Sequence, residues 1–195
     1  MMLNFQGICS IIFYIILILY LLFLKFIKKK KYTFLFFVLL FGIYLSFVIE
    51  YTQFPLFIGE EVQKAMGFDG DVWGQINYIP VIGLKIYDLK TSCLNVLMTI
   101  PFGFLIPFIK KVKFKQICTM GIVFTVSIEL TQLILGLIVG DTIRVIDIND
   151  IIFNQLGVII GYFLFNRFTK LIFNAVKEEK INLNPLIQYI IEMKK

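Results

Sequence analysis

The sequence predicts an all-α, polytopic membrane bundle of about five transmembrane helices, with its N-terminus outside and its C-terminus cytoplasmic. Three observations carry that expectation. The first is greasiness: 59% of the 195 residues are hydrophobic and the mean hydropathy is +0.88, whereas soluble domains run at about 45–50% apolar. The second is segment length, because the apolar runs reach the ~20 residues needed to cross a ~30 Å hydrocarbon core. The third is where the cations fall. Fifteen of the 19 Lys and Arg residues lie in segments that this topology leaves inside and four in segments outside, as the positive-inside rule requires of an odd number of spans.

The elements follow in order. Residues 1–50 hold two spans. The first is Ile8 to Ile27, preceded by no Lys or Arg; without a basic n-region or small-residue cleavage site it reads as a retained span. Lys28 to Lys31 mark the cytoplasmic side, and the second span runs from Thr33 to Ile49. Residues 51–91 form an extracytoplasmic interfacial loop, whose Trp73, Tyr78 and Tyr87 suit the membrane–water boundary. A short helix is expected near Ile58 to Met66. Residues 92–168 make a three-helix core. Its first span, Ser92 to Ile109, contains Pro101, Gly103 and Pro107 and should bend near its middle. The next runs from Ile117 to about Leu135, and the last from Asp150 to Phe168. Residues 169–195 are a lysine-bearing tail expected to lie on the cytoplasmic surface as an amphipathic helix.

Composition also excludes chemistry. There is no histidine, which removes Ser-His-Asp and Cys-His catalysis and HExxH zinc sites. Cys9, Cys93 and Cys118 form no C-x-x-C pair and read as packing residues. The net charge of +6 is topology information rather than a nucleic-acid footprint, so no nucleic-acid partner is expected.

The chemistry-bearing residues gather between Ser127 and Gly161. Glu129, Gln132, Arg144, Asp147, Asp150 and Asn154 lie in or beside otherwise apolar segments, where a charged side chain costs ~3 kcal/mol on insertion scales and marks a candidate site. Glu129 and Gln132 share one helical face. Asp147, Asp150, Asn154, Gly157 and Gly161 fall at spacings of 3, 4, 3 and 4, one stripe of a helix that small residues let pack closely. The two stripes belong to helices joined by a short hairpin and are expected to face each other at the outer leaflet. Two readings stay open: Arg144 pairs with Asp147 or Glu129 as a structural tie, or the cluster lines an outward, water-accessible pocket.

The segments Asn95–Pro107 (NVLMTIPFGFLIP), Ile128–Gln132 (IELTQ) and Arg144–Gly157 (RVIDINDIIFNQLG) together resemble the VanZ-like family, small bacterial membrane proteins associated with teicoplanin resistance. The resemblance covers roughly residues 75 to 168 and adds Asn95 to the candidates. It implies a multi-pass protein of the bacterial cytoplasmic membrane that lowers susceptibility to glycopeptide antibiotics; it does not supply a mechanism.

Three mechanisms are compatible with the residues. In one, Arg144 takes an anionic group while Asn95, Gln132 and Asn154 hydrogen-bond a lipid-linked envelope precursor or the antibiotic. In another, the protein is an intramembrane enzyme with Glu129 as general base and Asp147 with Asp150 as partners or ligands of Mg²⁺ or Ca²⁺, the hard cations that an all-oxygen set favours. No nucleophile motif accompanies these carboxylates. In the third, the protein is a structural or regulatory membrane partner. Membrane lipids surround it in every case.

Overall fold

The computed structural model describes residues 2–65, 67, 72–74, 76–77, 79–80, 86–140, 146–179 and 181–194. Five of its helices are long and apolar enough to cross a membrane. They are α1 (Ile8–Phe26), α2 (Tyr32–Gln53), α4 (Ile86–Ile109), α5 (Phe114–Val139) and α6 (Ile148–Lys177). Two shorter helices, α3 (Glu60–Ala65) and α7 (Pro185–Lys194), complete the helical set among the described residues. Two-residue strands tie loops together: β1 (Met2–Leu3) pairs antiparallel with β2 (Leu56–Phe57), and β3 (Ile76–Asn77) pairs parallel with β4 (Ile146–Asp147).

The helix ends have local causes. Lys29 and Gly140 adopt positive φ, at the α1–α2 turn and at the α5 C-cap respectively. A glycine there closes the helix without the steric cost a Cβ would bring. At the start of α5 the Gln116 side chain accepts from the Lys113 backbone N–H at 2.8 Å, half of a capping box. Asp147 is the N-cap of α6, its Oδ1 accepting the Asn149 N–H at 2.8 Å, and an acidic cap also suits the helix dipole.

The spine of the bundle is the α4–α6 pair, which shares the most extensive interface. These helices run parallel, in register with the parallel β3–β4 ladder that precedes them. Their backbones touch through glycines. A Cβ at Gly157 would collide with Thr99 Oγ1 and the Val96 carbonyl, one at Gly161 with the Ile100 carbonyl, and one at Gly103 with the Val158 carbonyl. Small residues give membrane helices the close approach that packing and interhelical hydrogen bonds need, since lipid offers no hydrophobic drive. α5 packs on α6, α2 on α4, and α1 on α2.

Aromatic packing holds the end opposite the long loop. Phe37 stacks on Phe108 with centroids 4.3 Å apart, and Phe165 meets Phe108 edge-on at 4.8 Å. Tyr189 of α7 joins them, its hydroxyl donating to the Phe108 carbonyl at 2.6 Å. By contrast α1 buries only Leu24 of its nineteen residues. Its apolar surface suits a hydrocarbon solvent.

The structure moves several boundaries. The last span continues past Phe168 to Lys177; Thr169 is fully buried and Ile172 packs against the Phe37–Phe108–Phe165 cluster. The tail is not merely laid on a surface: α7 buries Tyr189 and Ile190 against α2, α4 and α6. The helix bearing Pro101 and Pro107 starts at Ile86 and stays continuous through both prolines. The loop residues Tyr78 and the side chain of Tyr87 lie outside the described set.

Candidate functional site

The N-terminus of α6 is where the polar residues meet. Asp150, in its first turn, accepts the Asn95 Nδ2 of α4 at 2.6 Å. Asp147 receives the Asn77 Nδ2 of β3 at 2.9 Å on the same Oδ1 that caps the helix. Glu129 of α5, 5% exposed, accepts the Asp147 backbone N–H through Oε2 at 3.3 Å. Its carboxylate lies within electrostatic reach of both Asp150 and Asp147. Three acidic side chains and two amides therefore converge from α4, α5, α6 and β3 at one end of an apolar bundle. Buried polar groups of this kind are hydrogen-bonded as a rule, and here backbone and amide donors supply the bonds.

One turn deeper, Asn154 is 1% exposed. Its carbonyl accepts the Thr99 hydroxyl at 2.7 Å, and that hydroxyl also faces the Asn95 carbonyl at 2.9 Å. The Asn154 side-chain oxygen has no hydrogen-bond partner among the described residues. Gln132 turns elsewhere: its Nε2 donates to the Thr52 carbonyl of α2 at 2.9 Å, while its Oε1 is likewise buried without a partner. An unmade hydrogen bond in such a position costs about 1–3 kcal/mol.

The expected face-to-face arrangement of the α5 and α6 stripes is corrected by these contacts. The stripe of Asp150, Asn154, Gly157 and Gly161 packs along α4, and only its outer end, at Asp150, also lies near Glu129 of α5. Asp147 belongs to the cap rather than to the helical stripe. The reason is steric. α4 carries Asn95, Thr99 and Gly103 at four-residue spacing, a matching surface of one amide, one hydroxyl and one gap. α5 meets α6 through bulkier contacts, such as Gln155 Nε2 donating to the Cys118 carbonyl at 3.3 Å.

Of the sequence candidates, Asn95, Glu129, Asp147 and Asp150 come together; Asn154 lies a turn below and Gln132 points to α2. Arg144 lies outside the described residues. Three participants were missed from sequence: Asn77, Thr99 and Thr52. Thr99 had a readable signal, one turn after Asn95 on the same face. Asn77 had none, because its role depends on a two-residue strand. Ser127 and Thr131 bond the carbonyls four residues before them, at 2.6 and 2.7 Å, and are exposed. Among the described residues no group of three or more His, Cys, Asp or Glu is arranged to hold a metal ion.

Fold and site together define a polytopic α-helical membrane protein with a buried acidic-amide cluster at one end of its spine. Residues 57–173 match the sequence profile of the VanZ/LLP1 family, well over half the chain, and the protein belongs to that family. The matched stretch begins in the long loop and includes every residue of the cluster. No curated protein and no solved structure matches the chain.

Proposed function

We propose that this VanZ-like membrane protein lowers susceptibility to teicoplanin-type glycopeptides by holding an envelope ligand, a lipid-linked precursor head group or the antibiotic itself, at the α6 N-terminus. The observation that carries this reading is the convergence of three carboxylates on the α6 N-terminus, with the Asn154 Oδ1, partnerless among the described residues, one turn below it. Such acceptors suit the peptide N–H and sugar O–H donors of both ligands. Arg144, three residues before the cap, would take a phosphate or carboxylate, for which guanidinium is the best-matched side chain. The fifteen-to-four distribution of Lys and Arg supports orienting the cluster outward across a bacterial cytoplasmic membrane.

The test pairs susceptibility with binding. Arg144→Ala and Asn154→Ala are expressed in a susceptible bacterial host at matched membrane levels, and teicoplanin binding to the purified proteins is measured. Loss of both resistance and binding is expected. Wild-type values in both assays would dismiss the pocket.

A second reading is favoured by the burial of Glu129. A carboxylate 5% exposed beside two others is the environment of a general base, and an enzyme acting on a lipid-linked substrate would use it so. Asp147 and Asp150 would then steady the substrate directly. Product formation from a lipid-linked precursor, abolished in Glu129→Gln, would separate this reading from simple binding.

A further inference from the structure

A second site lies on the membrane-facing flank. Between α2 and α4 runs a groove of about 670 Å³, walled by Tyr44, Phe47, Val48 and Tyr51 on one side and Leu97 and Met98 on the other. Its size is within the ~300–1,000 Å³ range of ligand sites. Leu97 is 61% exposed and Phe47 63% exposed, so the groove opens sideways, toward lipid. Lys90, Leu94, Leu97 and Pro101 fall at spacings of 4, 3 and 4 along α4, one face of the helix. From Lys90 to Pro101 that face covers roughly 16 Å at 1.5 Å per residue. This is about half of a ~30 Å hydrocarbon core, the depth of one leaflet.

Each of the two helices carries a charge in or next to the groove. Lys90 heads the α4 face and is exposed. Glu50 of α2 lines the groove, with Gln6 Nε2 donating to its Oε1 at 3.1 Å. Glu50 lies in the lining itself and Lys90 one turn before Leu94 on the same face of α4, while the walls are mostly apolar. A water-soluble ligand gains little from such walls. A fatty chain gains packing along their whole length, and its head group meets Lys90 and Glu50 at the interface, where a lysine is attracted to anionic lipid.

We propose that the α2–α4 groove binds a phospholipid of the adjoining leaflet, one acyl chain lying between the helices, the phosphate on Lys90 and head-group hydroxyls on Glu50. The site is separate from the cluster at the α6 N-terminus and stands whether or not that cluster binds a ligand. It makes α2, through this lipid, part of the wall that seals α4 from the bilayer.

The probe is dioleoyl-phosphatidylglycerol, titrated into the delipidated full chain in detergent and counted by native mass spectrometry, with dioleoylglycerol as its phosphate-free counterpart. The wild type is expected to retain one phosphatidylglycerol. Leu97→Trp fills the groove from an exposed position and should weaken both lipids about tenfold, the equivalent of losing roughly 1.4 kcal/mol of binding. Lys90→Glu should weaken phosphatidylglycerol and leave dioleoylglycerol unchanged. Melting temperatures of the lipid-free variants, expected to match the wild type, exclude misfolding as the cause. Wild-type retention by Leu97→Trp overturns the groove as the site, and wild-type phosphatidylglycerol retention by Lys90→Glu overturns the phosphate assignment.

Discussion

Asn95 donates to Asp150 at 2.6 Å across the parallel α4–α6 interface, the shortest polar link between the two helices that form the spine. It joins a neutral donor to a carboxylate, the stronger kind of hydrogen bond. Asn95→Ala is expected to lower the melting temperature of the detergent-solubilised protein, by about 1–2 kcal/mol of stability on the scale of membrane interhelical bonds. Asn95→Asp should cost more, because it sets two carboxylates at hydrogen-bonding distance. Thermal denaturation followed by circular dichroism checks both.

Gly157 offers a sharper steric test. Its missing Cβ is where Thr99 Oγ1 and the Val96 carbonyl stand, so Gly157→Ala forces α4 and α6 apart. Overpacking of this kind typically costs about 1–3 kcal/mol, and backbone is among the groups that must shift. Reduced membrane accumulation and a lower melting temperature are expected; Leu97→Ala, on an exposed face, should leave both unchanged.

Glu129→Gln separates stability from function. Glutamine keeps an oxygen to accept the Asp147 N–H and removes one of three neighbouring acidic groups, so the variant is expected to fold and melt no lower than the wild type. If the proposed role in glycopeptide resistance holds and the cluster carries it, resistance of a susceptible host expressing the variant falls sharply all the same. A variant with wild-type melting and wild-type resistance would return Glu129 to a structural role.

Tyr189 makes the docking of α7 sensitive to alkali. Burial raises its pKa above the ordinary tyrosine value of about 10, and the Glu192 carboxylate adds to the rise. The folded state thus holds the phenol proton more tightly than the unfolded one. That contribution is fully present below pH ~10 and is lost as the pH climbs past it. Limited proteolysis within 178–184 should accelerate above that pH. Tyr189→Phe removes the hydrogen bond to the Phe108 carbonyl, so it should raise cleavage at neutral pH and flatten the alkaline dependence.

The sequence was informative about what lies in lipid and less so about what lies against what. The five spans were legible because hydropathy and charge are properties of single segments: Ile8–Phe26 and Tyr32–Gln53 differ from expectation by only a few residues. Asp150, Asn154, Gly157 and Gly161 were legible as one face because helical period is also local. Their partner was not. A stripe tells which side of a helix is special, not which neighbour receives it, and the short α5–α6 connection pointed to the wrong one. The answer lay in Asn95, Thr99 and Gly103, whose spacing repeats the same alternation of polar group and gap on α4. Asn77 stayed hidden because its place follows from a strand pairing 70 residues distant in sequence.

The glycine contacts along the spine have a mechanical consequence. Where Gly103, Gly157 and Gly161 let carbonyl oxygens of one helix fill the missing side chains of the other, a slide by a fraction of a turn would drive backbone into backbone. Densely packed interfaces of this sort switch between discrete arrangements or do not move at all. α4 and α6 therefore behave as a single stiff beam, with the acidic cluster fixed to its end. Any gate that admits a large ligand must swing on the outer helices, above all on α1, whose most extensive packing among the described residues is on α2.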